Sequence, residues 1–212
     1  MIILGLTGSI GMGKTTVANF FRFLKIKVFD ADLSVHKLMM PEGKAFNEIL
    51  EIFPSVAKFG SIDRIALSEI VFNDKQKLQK LENILHPLVR KMEYDFLSIS
   101  ARHRERVVVL DIPLLFETGG NMRCDGTIVA TAPEKIQINR ILKRPGMTTE
   151  KIKAIIDCQI QNKEKCKMAD FVVKTNMGRA SCYRSIIEII KRTKSWHAQS
   201  WSNFNYQKFE NK

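Results

Sequence analysis

The feature that most constrains this chain is one string near its start, Gly8-Ser9-Ile10-Gly11-Met12-Gly13-Lys14-Thr15. It follows a near-continuous apolar run over residues 2–6 and opens a segment in which Val17, Phe20, Phe21 and Leu24 recur at helical spacing. Strand, loop and helix are therefore expected in that order, the setting in which G-x-x-x-x-G-K-[ST] acts as a phosphate-binding loop. Such a loop turns backbone N–H groups inward around phosphate oxygens, so several positions must lack a Cβ, and the helix behind it adds the positive end of its dipole. Gly8, Gly11 and Gly13 meet that demand, and Met12 and Thr16 count with them as nucleotide-binding. Lys14 then reaches the β- and γ-phosphates of ATP, while the Thr15 hydroxyl is a ligand for the accompanying Mg²⁺. A dinucleotide fingerprint would instead need a glycine where Thr16 stands, and has no use for a lysine inside the loop.

Downstream patterning extends this unit into a layered α/β protein. Residues 25–29 read as a second strand ending on Asp30-Ala31-Asp32, which makes the start βαβ-like and the sheet parallel. Residues 33–104 carry helical patterns over 34–40, 43–53, 63–72, 75–85 and 87–104, broken at Pro41, Pro54 and Gly60, with no strand-like run. Strands follow at 106–112, 126–131 and 170–174. Thr148 or Thr149 suits the N-cap of a helix over 150–161, and Ser181 that of a helix through Ile190. The expected fold is a five-stranded, mostly parallel α/β sheet built from 1–32, 105–132 and 170–194, with helical insertions at 33–104 and 133–169. A tail at 195–212 holds both tryptophans with Phe204, Tyr206 and Phe209, and is expected to pack its aromatics on the domain or a neighbouring subunit, or to stay mobile.

At 212 residues, with 34 lysines and arginines against 22 acidic residues, the formal charge of +12 raises the question of nucleic acid. The basic residues are spread over many helical segments and no RNP pattern or zinc finger accompanies them, so solvated helix faces plus a phosphate site account for the charge without a nucleic-acid partner. No apolar stretch approaches the ~18 residues of a membrane span, and the apolar start is too short for a signal sequence, so no membrane partner and a cytoplasmic location are expected. Cys124, Cys158, Cys166 and Cys182 form no C-x-x-C pair, and His36, His86, His103 and His197 are scattered. Reduced, partly buried thiols and no zinc site follow. The oligomeric state is left open.

The acceptor of the phosphoryl group is narrowed by the other acidic positions. A guanine-specific N-K-x-D would need an aspartate where Asn162-Lys163-Glu164-Lys165 has a lysine. Asp30-Ala31-Asp32 ends the second strand, expected beside the first at the sheet edge where ligands of open α/β folds bind, and a carboxylate there can take a hydroxyl proton. Asp32 is the favoured base; Asp30 serves equally well as a cap for the next helix. The apolar residues 107–110 followed by Asp111 match the strand and terminal aspartate that help place Mg²⁺ in phosphate-loop enzymes.

Together these segments resemble a known family. The loop as L-T-G-S-I-G-M-G-K-T, D-A-D-x-x-x-H from Asp30 to His36, L-H-P-L-V-R from Leu85 to Arg90, D-I-P-L-L-F-E from Asp111 to Glu117, Gln159-x5-Lys165-x3-Ala169-Asp170 and Asn176-x-Gly178 look like the dephospho-coenzyme A kinases, in order and over about residues 1–192. The resemblance implies a P-loop kinase fold and transfer from ATP, with Mg²⁺, to the ribose 3′-hydroxyl of dephospho-coenzyme A. It further implies that 33–104 forms the acceptor-binding insertion, with His86 and Arg90 nearby, and that Asp32, Pro113 and Leu114 also bind the acceptor. Residues 133–169 would be a lid whose Arg140 faces the phosphates, acting with Lys14 and Asp32 in catalysis; Asn176 and Gly178 would contact adenine, and Thr15 and Asp111 the metal. Lys174-Thr175 stands where the family more often has Ile-Asp, and the tail has no counterpart. Two other readings remain open on the residues alone: a kinase for nucleosides or nucleotides, and a nucleotide-gated protein acting on nucleic acid.

Overall fold

A computed structural model describes residues 1–201 apart from 73, 145 and 158, and gives the backbone alone for 149, 150, 151 and 154. Cys158, Phe204, Tyr206 and Phe209 lie outside the described residues. Six consecutive uncharged residues form β1 (Ile2–Thr7), which is buried along its whole length. That is what the centre of a parallel sheet covered on both faces requires. The remaining strands of this sheet are β2 (Lys27–Asp30), β5 (Val107–Asp111), β6 (Gly126–Thr131) and β7 (Phe171–Lys174), in the order β2-β5-β1-β6-β7. β1 runs parallel to both neighbours, and β6 parallel to β7. The strand expected beside β1 is therefore not its neighbour: β5, which ends on Asp111, lies between β1 and β2.

The chain divides into two compact units, 1–29 with 99–212, and 30–98. In the first, α1 (Lys14–Phe23) and α9 (Arg179–Thr193) bury Val17, Ala18, Phe21, Cys182, Ile186 and Ile189 in one core with Leu4, Leu6 and Ile128 of the sheet. This unit also holds α6 (Glu134–Leu142), α7 (Thr149–Asp157) and α8 (Asn162–Met168). The helix expected over 150–161 thus stops at Asp157, and Gly178 rather than Ser181 occupies the N-cap of α9. Gly178 has φ +84°, a conformation that suits glycine, and α9 begins at Arg179, which puts Ser181 inside its first turn. Trp196 stacks on Phe171 with ring centroids 5.6 Å apart, and Asp125 accepts the Gln199 and Ser200 N–H groups, which fastens the start of the tail to this unit.

The second unit contains α2 (Ala31–Leu38), α3 (Phe46–Ile52), α4 (Arg64–Phe72) and most of α5 (Lys75–Arg102). Asp63 and Asp74 cap the last two, each accepting two backbone N–H groups of the first turn, and those bonds hold both carboxyls below the usual range. Between α3 and α4 lies a small antiparallel hairpin, β3 (Ala57–Lys58) and β4 (Ser61–Ile62), where the sequence indicates no strand. Two-residue strands carry no alternation to read, but the turn is legible: Phe59 and Gly60, at φ +47° and +74°, supply the two positive φ values of a type I′ hairpin. The break expected before Pro87 is also absent. α5 continues through it because Leu81, Ile84 and Leu85 before the proline and Leu88, Val89 and Met92 after it stay in phase on one core. That packing offsets the ~3 kcal/mol a proline costs in a helix interior.

Candidate active site

The loop between β1 and α1 is held by its carbonyls. Ser9 C=O accepts from Met12 N–H (3.1 Å), Ile10 C=O from Gln137 Nε2 (2.8 Å), Gly11 C=O from Arg140 Nη1 (3.3 Å) and Met12 C=O from Thr175 Oγ1 (2.7 Å). In a planar trans peptide the N–H points opposite to the C=O. Fixing the Ile10 and Met12 carbonyls outward therefore turns the N–H groups of Gly11 and Gly13 to the inside of the loop, as a phosphate cradle needs. The packing leaves no room for side chains: a Cβ on Gly13, at φ +84°, would lie 2.7 Å from Thr175 Oγ1, and one on Gly11, at φ +76°, would lie 2.9 Å from the Gln137 carbonyl. Met12 is buried, with its sulfur accepting the Ala132 N–H, while Thr15 and Thr16 are exposed in the first turn of α1.

Lys14 and Asp111 come together at this loop. Asp111 ends β5 in register with Leu6 of β1, and Lys14 Nζ lies 2.5 Å from Asp111 Oδ1, the lysine side chain 16 % and the aspartate 4 % exposed. The segment after Asp111 is stitched to the root of the loop, Ile112 N–H to Leu6 C=O and Thr7 Oγ1 to Pro113 C=O at 2.7 Å. Pro113 is half-buried and Leu114 exposed beside it. A cationic lysine, an anionic carboxylate and inward N–H groups thus share one side of the sheet's carboxyl edge. Among the described residues no group of three or more metal-ligating side chains occurs.

Arg140 sits on α6 with Nη1 bonded to Gly11 C=O and Thr175 Oγ1 and Nη2 to Thr175 C=O (3.0 Å), which places its positive charge against the loop. Thr175 is the residue that sequence reasoning missed. It follows β7 directly and ties that strand end to Met12, Gly13 and Arg140; its neighbour Asn176 is half-buried and Gly178 is exposed. The departure from the family pattern at Thr175 was the available signal. Gln137 was the other omission, a glutamine at a buried helix position.

In the 30–98 unit Asp30 caps α2, its Oδ1 accepting the Leu33 N–H at 3.0 Å, so this carboxylate takes the capping role of its two readings. Asp32 is exposed in the first turn of that helix. His86 and Arg90 lie one turn apart on α5, with His86 exposed. Arg90 Nη1 is 3.7 Å from Glu93, which is 2 % exposed, and burial pushes the Glu93 carboxyl up to about 7 against the opposing pull of Arg90.

Comparison with known proteins adds the following. The family model described as dephospho-CoA kinase matches residues 2–180. A dephospho-CoA kinase of Paramagnetospirillum magneticum is 50% identical over 165 residues, 78% of this chain and 78% of that protein. One of Mesorhizobium japonicum is 45% identical over 90% of this chain and 95% of its own length. A solved structure of a protein from Thermus thermophilus superposes with a TM-score of 0.82 at 33% identity, covering 92% of this chain and 98% of that one.

Proposed function

The chain belongs to the dephospho-CoA kinase family, and from that premise we propose how its own residues phosphorylate the ribose 3′-hydroxyl of dephospho-coenzyme A with ATP, the last step of coenzyme A synthesis. The observation that carries the reading is the loop from Gly8 to Thr15, with its carbonyls engaged outward and Lys14 beside Asp111. The transition state of phosphoryl transfer is loose, with charge on the equatorial oxygens, so positioning and electrostatic stabilisation supply most of the rate. Lys14 and Arg140 offset that charge, and the loop N–H groups fix the β-phosphate. Asp32 orients the attacking 3′-hydroxyl and accepts its proton. An aspartate is a weak base toward a sugar hydroxyl, so the proton leaves late and orientation matters as much as basicity.

Thr15 and Asp111 offer hard oxygen donors that would hold Mg²⁺ together with the substrate phosphates. When bound, it neutralises charge on the phosphates. His86 and Arg90 bind the acceptor, together with Pro113 and Leu114, and Asn176 and Gly178 meet the adenine of ATP. Residues 133–169 act as the lid. No helix among the described residues is long and apolar enough to cross a membrane, and we place the enzyme in the cytoplasm, where ATP is available. The test is ADP release over an acceptor panel: turnover with dephospho-coenzyme A alone supports the reading, whereas turnover with nucleosides or nucleoside monophosphates contradicts it.

A further inference from the structure

Lys165 is fully buried, 0% exposed, with its Nζ 2.8 Å from Oε1 of Glu117. Lysine is almost never found so deep unless paired. A pair of this kind is a poor stabiliser, because an apolar pair of similar volume is often as good or better. Glu117 Oε2 and Asn162 Oδ1 are buried with no hydrogen-bond partner among the described residues, so local hydrogen bonding is not what this cluster maximises. What it does is fix a turn. Glu117 Oε1 also accepts the Ile160 N–H at 3.0 Å, and Asn162 Nδ2 donates to Thr131 Oγ1 at 2.8 Å, which pins residues 160–162 to the segment after β5 and to the end of β6. The neighbouring Gln159 side chain accepts the Ile10 N–H at 3.3 Å, while Gln137 donates to the Ile10 carbonyl. Both main-chain groups of Ile10, at the apex of the loop, are thereby set by side chains from outside it.

We propose that the Glu117–Lys165 ion pair is a positioning device for the phosphate loop: it holds the 159–162 turn so that Gln159 presents its amide oxygen to Ile10, keeping the loop apex in register for transfer. This rests on the reading of Gly8 to Thr15 as the phosphate cradle. It gives a physical task to the glutamate that closes D-I-P-L-L-F-E and to both ends of Gln159-x5-Lys165. None of these three residues touches reacting atoms; they act through the loop.

The experiment uses the full-length enzyme with ATP and dephospho-coenzyme A, measuring kcat, both KM values and Tm. Lys165→Met alone strands a buried carboxylate and lowers Tm. The double variant Glu117→Leu/Lys165→Met removes both charges and recovers Tm, yet kcat stays about 10- to 100-fold down with acceptor KM within about twofold, because the turn has lost its anchor. Gln159→Leu, which leaves the ion pair intact, reproduces the kcat loss at unchanged Tm. Wild-type kcat in Gln159→Leu, or in a double variant with recovered Tm, overturns the proposal; if the double variant stays unfolded, Gln159→Leu decides. Lys14→Ala separates the two levels: turnover surviving in that variant sinks the cradle reading itself, whereas an inactive Lys14→Ala beside a fully active Gln159→Leu sinks only the positioning role.

Discussion

Single side chains carry different parts of this account. Asp32→Asn keeps the shape of the first turn of α2 but removes the proposed proton acceptor, and the expected loss in kcat is about 10²- to 10⁴-fold with ATP affinity little changed. Steady-state kinetics with direct nucleotide binding checks it, and near-normal turnover would move the base elsewhere. Arg140 touches Gly11 and Thr175 as well as bringing charge to the loop, so Arg140→Ala should depress kcat more than it weakens dephospho-coenzyme A binding; a loss confined to acceptor binding would contradict its proposed role as the lid arginine at the phosphates. Glu93 gives a pH prediction. Its carboxyl titrates near 7 in the folded protein against an ordinary 4.5, so the folded state holds a proton that the unfolded chain has released. The sign is therefore a loss of stability as pH rises from about 4.5 to about 7, by about 3 kcal/mol, levelling above that. Urea unfolding of wild type and Glu93→Gln across this window should show the slope in the first and a flatter profile in the second; equal slopes would refute the assignment. The geometry of the candidate loop and the place of Asp111 at a strand end were legible from spacing because a glycine-rich turn after an apolar strand dictates local backbone chemistry. Thr175 and Gln137 were not, because their role is to bond carbonyls far away in sequence.

At the scale of elements, the three central strands were readable because buried parallel strands are continuous apolar runs, and all five, the partly exposed edge strands β2 and β7 included, fall within two residues of the sequence reading at either end. Order was not readable. Apolar runs carry no label for their neighbours, and β5 enters between β1 and β2 through a crossover spanning the whole 30–98 unit. The β3–β4 hairpin and the unbroken α5 escaped for opposite reasons, one too short to show a period, the other held together by packing that outweighs the local signal at Pro87. The phosphate loop as an element is rigid by crowding. Gly13→Ala must relieve a 2.7 Å approach to Thr175 and a φ of +84°, so it should lower stability by about 1–3 kcal/mol and ATP affinity with it. Thermal unfolding with and without ATP reads both; unchanged values would mean the loop is looser than its contacts imply.

For the whole molecule, the sheet brings Lys14, Asp111, Arg140 and the Asn176 turn to one unit, and the 30–98 unit carries Asp32, His86 and Arg90. The division of labour we propose is nucleotide on the sheet and acceptor on the helical insertion, on a chain whose family is dephospho-CoA kinase. The central claim is that the γ-phosphoryl group of ATP ends on the ribose 3′-oxygen of dephospho-coenzyme A. Phosphorus NMR of the products of a complete turnover tests it most directly. One new monoester resonance coupled to the ribose 3′ position, in step with ADP, is the predicted result. Phosphate appearing at another hydroxyl, or ADP accumulating with inorganic phosphate alone, would contradict it.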